Sequence, residues 1–88
     1  MAILWDNDKN DWLQLNRSIS FEEISERIIN HEYEEIVENP TRSFQQYFVM
    51  DINNYIWLIP FLIDEKDNIV LKTAFPSRKY HKKYGDKR

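Results

Sequence analysis

The apolar residues in the first thirty positions recur at the spacing of a helix. Asp6 is suited to cap a first helix, since its side chain can accept a free backbone N–H. Ser20 and Glu23 give a stronger start signal, because they match the S-x-x-E capping box. An apolar side follows at helical spacing, made of Phe21, Ile24, Ile28 and Ile29. The pattern predicts helices near residues 7–16 and 20–30.

After residue 32 the apolar positions alternate with polar ones or run together, as they do in strands. The pattern predicts four strands, over residues 33–37, 44–52, 55–63 and 69–75. In the second strand one set of side chains is expected on one face, namely Phe44, Phe48, Met50 and Ile52. The third strand is nearly all apolar, which indicates a central strand that is buried on both faces.

Two polar signals and one proline separate or interrupt these strands. Asn53 and Asn54 predict a tight turn, since Asn tolerates a positive φ. Pro60 lies inside the predicted central strand and cannot donate a hydrogen bond, so we expect a bulge or an unpaired position there. The order of elements predicts one α+β domain over residues 1–88, with the N-terminal helices packed on one face of an antiparallel β-meander.

Charge is distributed unevenly along the chain, whose net charge is −3. Residues 1–71 contain five basic and fourteen acidic side chains, whereas residues 72–88 contain seven basic side chains and one acidic. Such a basic end can bind phosphates or an acidic protein partner, or it can be a solvated tail. The chain has no Cys, no long apolar run and no basic, apolar N-terminal leader, so we expect a cytoplasmic protein without a membrane partner.

Several kinds of chemistry are excluded by composition. A single Gly excludes a phosphate-binding P-loop and a dinucleotide-binding fingerprint. His31 and Glu32 do not continue into an H-E-x-x-H zinc motif, because the other His is fifty residues away at His81. We therefore expect neither a metal nor a cofactor.

An RNA strand can be cleaved when its own 2′-hydroxyl attacks the neighbouring phosphate. The segment from Lys72 to Tyr84 supplies the groups that this reaction requires. These are a group that takes the 2′-OH proton, a group that protonates the departing 5′-oxygen, and cations that hold the phosphate. His81 can move a proton near neutral pH, and tyrosines can stack on bases. The candidate catalytic residues are His81, Arg78 and Tyr84. The candidate RNA- and phosphate-binding residues are Lys72, Lys79, Lys82, Lys83 and Tyr80.

Four stretches of the chain resemble one known family. Trp5-Asp6 is followed by Lys9, and residues 17–24 are similar to a family element that reads His-Gly-Val-Ser-Phe-Glu-Glu-Ala. The strands pass through residues 46–48, and Thr73-Ala74 precedes a basic stretch that ends in Tyr84. In these features the chain resembles the BrnT toxins, relatives of the RelE-type bacterial ribonuclease toxins. Phe75 and Pro76 stand where the family has Arg and Lys.

The resemblance implies a RelE-like fold and a toxin of a type II toxin–antitoxin pair, which cleaves mRNA on or off the ribosome and inhibits translation. It also implies a cognate antitoxin, a small DNA-binding protein that silences the toxin. From the charge pattern we expect this partner to cover the basic end. A second interpretation stays open, in which the chain is a non-catalytic interaction protein whose basic C-terminal end docks an acidic protein partner.

Overall fold

The computed structural model describes residues 1–85 and contains two capped helices in its N-terminal third. Helix α1 spans Asn7–Arg17, and the Asp6 side chain accepts the N–H of Asp8 at 3.2 Å. Helix α2 spans Phe21–Ile29, and both hydrogen bonds of the Ser20–Glu23 capping box are formed. These helices confirm the predicted pair. Ile29, however, is 66% exposed, so the buried side of α2 is narrower than predicted and consists of Phe21, Ile24 and Ile28.

Six strands among the described residues form one mixed sheet. They are β1 (Ile3–Leu4), β2 (Glu35–Glu38), β3 (Gln46–Ile52), β4 (Tyr55–Ile63), β5 (Ile69–Leu71) and β6 (Phe75–Pro76). The strand order is β1-β5-β4-β3-β2, and β6 pairs with β4 beyond the end of β5. The α+β class is confirmed, whereas a purely antiparallel meander of four strands is wrong. The short β1 was not predicted, and it pairs in parallel with β5.

The central strand β4 has the predicted bounds, and the turn before it places Asn53 and Asn54 at φ values of 54° and 66°. The carbonyl of Pro60 accepts the N–H of Lys72 at 2.9 Å. In an antiparallel strand the N–H and C=O of one residue face the same neighbour, so the missing donor of Pro60 faces this side. On this side the predicted single strand 69–75 is divided into β5 and β6.

The first residues of β2 and β3 differ from the prediction. Strand β2 begins at Glu35 rather than at residue 33, and β3 begins at Gln46 rather than at Phe44. Phe44 is 66% exposed, because the chain turns here and Gln45 donates its N–H to the carbonyl of Arg42 at 3.0 Å. The alternation inside β3 is as predicted.

Each face of the sheet has its own apolar cluster. On the first face, α1 and α2 pack against the sheet and build the larger core, with Leu13, Phe21, Ile24, Phe48, Met50 and Phe61 among its members. On the second face, Val49, Ile56 and Leu58 are buried under a third helix. Helix α3 spans Arg78–Tyr84 and is capped by Ser77, whose hydroxyl accepts the N–H of Tyr80 at 3.2 Å. The N-terminal helices therefore pack on one face as predicted, whereas a third helix on the opposite face was not predicted.

The signals for α3 are present in the sequence. Ser77 is a good N-cap, and two tyrosines four residues apart give the helix one apolar side. The helix was nevertheless not predicted, because five of the seven helical residues are Arg, Lys or His and the apolar positions are few. Within residues 1–85, no helix has both the length and the apolar character that crossing a membrane requires.

Candidate nucleic-acid interface

Helix α3 places its two tyrosines against the sheet. Tyr80 and Tyr84 pack on the second-face cluster of Val49, Ile56 and Leu58. Their rings are parallel within 2°, and the ring centroids are 6.2 Å apart. Both residues are half-buried. The predicted stacking residues therefore also hold the helix on the sheet.

His81 is fixed by two contacts to the beginning of β4. Its Nδ1 accepts a hydrogen bond from the backbone N–H of Ile56 at 3.3 Å. The imidazole stacks on the ring of Tyr55, with 4.1 Å between centroids and an interplanar angle of 12°. Because Nδ1 is the acceptor, the neutral imidazole carries its proton on Nε2. The candidate proton-transfer atom of this residue is therefore Nε2.

The outward side of α3 is uniformly basic. Four exposed cations alternate in pairs with the inward residues, and they are Arg78, Lys79, Lys82 and Lys83. The helix contains no acidic side chain. Helical spacing puts Arg78 beside His81, three residues further on, and places all four cations along two turns. This arrangement can hold several phosphate groups of a nucleic-acid backbone or the carboxylates of an acidic partner.

The end of α3 is linked to the edge of the sheet. The hydroxyl of Tyr84 donates a hydrogen bond to the carboxylate of Glu35 on β2. The ammonium group of Lys83 lies 5.4 Å from the centroid of the Tyr84 ring, within cation–π range. Tyr84, predicted as catalytic, is thus joined to a carboxylate on the second face.

Lys72 lies apart from α3, in a polar recess on the second face. The recess has a volume of about 410 Å³ and contains two cations, Arg42 and Lys72. Its other lining side chains include Thr41, Thr73 and Phe75. Phe75 meets the ring of Tyr47 edge to face, with centroids 6.2 Å apart and an interplanar angle of 89°. We call this feature the Arg42–Lys72 recess.

The loop that carries Arg42 is held by buried amides. Asn39 and Gln45 are 7% and 8% exposed, and the Asn39 side-chain amide donates to Oε1 of Gln45 at 3.4 Å. Oδ1 of Asn39 accepts both the backbone N–H and the hydroxyl of Thr41, each at 3.0 Å. These bonds position the segment that leads into Arg42. Sequence reasoning missed Arg42, because a single Arg in an otherwise acidic stretch carries no motif.

An apolar groove lies on the first face, away from the predicted site residues. It has a volume of about 630 Å³, and its lining includes the exposed side chains Ile29, Ile36 and Ile63. His31 is at its margin. Since the groove is apolar and holds none of the eight predicted residues, it is not the candidate site for phosphate chemistry.

The structure places the eight predicted residues on one side of the sheet, in three settings. His81, Tyr80 and Tyr84 face the body, four cations face outward from α3, and Lys72 lies in the recess. Among residues 1–85, no group of three His, Asp or Glu side chains is arranged to hold a metal ion. Comparisons with known protein families, with curated proteins and with solved structures find no match to this chain.

Proposed function

We propose that this chain is a bacterial toxin of the BrnT type, with a RelE-like arrangement of helices and sheet, that cleaves mRNA and inhibits translation. One observation carries the proposal: α3 presents four outward cations directly beside an imidazole whose hydrogen bond to Ile56 selects the tautomer with its proton on Nε2. Cations and a positioned imidazole are the groups that cleavage by the 2′-hydroxyl uses.

In the proposed reaction the 2′-oxygen attacks the adjacent phosphorus and the bond to the 5′-oxygen breaks. With its proton on Nε2, His81 acts as the acid that protonates the leaving 5′-oxygen, whereas the 2′-OH proton passes to water, which returns a proton to the imidazole. Arg78 and Lys79 hold the scissile phosphate and stabilise the charge that grows on it. Tyr84 assists catalysis at the scissile phosphate or stacks on a base. The products are a 2′,3′-cyclic phosphate and a 5′-hydroxyl.

The remaining predicted residues extend the binding surface. Lys82 and Lys83 lie one turn further along the outward side of α3 and hold neighbouring phosphates. Tyr80 packs on the sheet and so holds α3 in place, and its exposed part stacks on a base. Because phosphate contacts release bound counterions, RNA affinity is expected to fall steeply with salt.

The proposed partner is a cognate antitoxin, a small DNA-binding protein that covers α3. Acidic side chains of this partner would be steered to the four outward cations and would exclude RNA from the same surface. The half-buried rings of Phe75, Tyr80 and Tyr84 offer apolar contacts beside these charges. Aromatic side chains of this kind carry much of the energy of protein interfaces.

A second candidate function is favoured by the same helix. The bond from Ile56 and the stacking on Tyr55 also suit a histidine that only holds α3 in place. In that case the chain is a non-catalytic interaction protein whose basic end docks an acidic partner. The two functions differ in whether the proton on Nε2 of His81 is needed.

Inducible expression in bacteria separates the two functions. The chain is expected to arrest growth, and both His81→Ala and His81→Asn are expected to abolish the arrest. Asn is the informative variant, since its Oδ1 can replace Nδ1 as the acceptor for Ile56 but cannot exchange a proton. Equal thermal stability of His81→Asn and the parent chain would show that the helix is still docked. A harmless parent chain, or full arrest by His81→Asn, would contradict the nuclease proposal.

A further inference from the structure

We propose that the Arg42–Lys72 recess is a second nucleotide-binding subsite, which takes one phosphate and one base of a single-stranded RNA next to the nucleotide held by α3. The inference rests on the proposed function and adds to it a residue, Arg42, and a path for the substrate. It is carried by the charge, the aromatic lining and the place of the recess on the second face.

The local charge favours an anion. Residues 1–71 carry a net charge of −9, yet none of the described side chains that line the recess is a carboxylate. Two of them are cations, and Thr41 and Thr73 add hydroxyl groups. The guanidinium of Arg42 can bind two phosphate oxygens at once, whereas Lys72 supplies a point charge. This combination of charges and hydroxyl groups suits an oxyanion such as a phosphate.

Hydrogen bonds hold the walls of the recess, which favours binding of one ligand in a defined position over diffuse attraction of counterions. Asn39 and Gln45 are buried, and they hold the loop between β2 and β3 through the bonds to Thr41 and to each other. On the opposite wall, Lys72 is fixed through its backbone N–H, which Pro60 accepts at 2.9 Å. Both cations therefore extend from backbone that is held in place. The backbone therefore needs no rearrangement when a ligand binds, and only the two side chains have to be ordered.

The aromatic lining favours a nucleotide over a free phosphate. Phe75 and Tyr47 meet edge to face and are both half-buried, so each ring has an exposed part for a base to contact. Stacking of bases on aromatic side chains is the usual way in which proteins hold single-stranded RNA without reading its sequence. The volume of about 410 Å³ lies in the range of small-ligand pockets, about 300–1,000 Å³.

The place of the recess connects it with α3. Phe75 lies at the recess, and Arg78 begins the helix three residues later. Three residues span at most about 10 Å, so one RNA strand can contact both. Tyr47 and Phe75 also belong to the second-face cluster on which Tyr80 and Tyr84 pack. The recess and α3 thus lie on the same face of the sheet and are close together in the chain.

Binding of a short single-stranded RNA tests the subsite directly. The probe is a 2′-O-methyl oligonucleotide, which lacks the attacking hydroxyl and is not cleaved, and fluorescence anisotropy measures its affinity. Arg42→Ala and Lys72→Ala are each expected to lower the affinity about tenfold, and the two substitutions together are expected to reduce the salt slope by about 0.7, the value for one phosphate contact on a single strand. Arg42→Lys should fall between Arg42→Ala and the parent chain.

The control is Lys66→Ala, which removes an exposed cation from the loop between β4 and β5 and should leave the affinity unchanged. Circular dichroism checks that each variant is folded. If the parent chain binds and cleaves RNA but Arg42→Ala and Lys72→Ala bind it equally well, the subsite is wrong and the proposed function stands. If the parent chain binds the probe through these residues but cleaves no RNA, the nuclease proposal fails and the subsite stands. If only a polyglutamate peptide binds, and loses affinity in both variants, the recess serves an acidic protein and the inference is overturned.

Discussion

His81 and Ile56 are joined by a hydrogen bond of 3.3 Å between Nδ1 of the imidazole and a backbone N–H that lies 25 positions earlier in the chain. The bond fixes α3 on the beginning of β4 and fixes the orientation of the one His on this helix. Structure and proposed chemistry therefore depend on the same side chain. Variants that move the ring, or that replace it, can separate these two roles.

The position of the His81 ring is expected to depend on a Gly at position 85. A Cβ at this position would lie 2.4 Å from Nδ1 and 2.5 Å from Cε1 of His81, so the ring would have to move. We expect Gly85→Ala to weaken the Ile56 bond and to speed hydrogen exchange at the Ile56 amide, as His81→Ala should also do. Exchange followed by NMR measures this, and Lys83→Ala on the exposed side of α3 is the control. An unchanged exchange rate in Gly85→Ala would show that the ring is not held as described.

Asn10 is expected to stabilise the junction of α1 and α2. It is 4% exposed, its Oδ1 accepts the N–H of Phe21 at 2.7 Å, and its amide donates to Glu22 at 2.7 Å. Asn10→Ala leaves the buried Phe21 N–H without an acceptor, which should lower the free energy of unfolding by about 1–3 kcal/mol. Asn16→Ala is the matched control, since its bond to the Trp12 carbonyl is exposed and should matter little. Urea denaturation measures both, and equal effects would contradict this role.

Local signals predicted the elements whose structure is decided locally. The Ser20–Glu23 box, the Asn53-Asn54 turn and the bounds of β4 all follow from a few neighbouring residues. The parallel pairing of β1 with β5 could not be predicted in this way, because two residues carry no period and their partners are 66 positions away. The division of β5 from β6 depends on which side of β4 Pro60 faces, and this is a property of the assembled sheet.

The candidate site was predicted as a set of residues but not as an arrangement. Composition and the basic run identified Lys72 and the basic residues of 78–84, but not the helix that they form. The inward turn of His81 depends on the helical form of the segment, which the sequence analysis did not predict. Arg42 comes to the same face only because the loop between β2 and β3 folds beside β5, a contact between distant parts of the chain.

The hydrogen bond between Tyr84 and Glu35 is expected to make a small contribution to the free energy of unfolding, and this contribution requires both side chains. Tyr84→Phe and Glu35→Gln each weaken or remove it, and each should lower the free energy of unfolding by less than about 1 kcal/mol, since both groups are accessible to water. The double variant should be no less stable than the weaker of the two single variants. Thermal or urea unfolding of the four proteins completes the cycle. Additive effects would show that the two side chains do not interact in solution.

Asp64 is expected to make the loop between β4 and β5 sensitive to acid. The backbone N–H of Asn68 lowers the pKa of its carboxyl below the ordinary value of 3.8, with further help from Lys66. A lowered pKa adds stability at pH values above 3.8, and this stability is lost as the pH falls through the folded-state pKa. The stability difference between the parent chain and Asp64→Asn should therefore shrink from about pH 7 to about pH 2. A difference that stays constant over this range would contradict the shift.

Product analysis of a purified reaction shows whether this chain cleaves RNA through a proton on His81. RNA is incubated with the parent chain or with His81→Asn, either as free RNA in the presence of EDTA or on translating ribosomes in their Mg²⁺ buffer, and the ends of the fragments are identified. We expect fragments with a 2′,3′-cyclic phosphate and a 5′-hydroxyl from the parent chain, and intact RNA with His81→Asn. Intact RNA with the parent chain under both conditions, or equal cleavage by His81→Asn, would contradict the nuclease proposal.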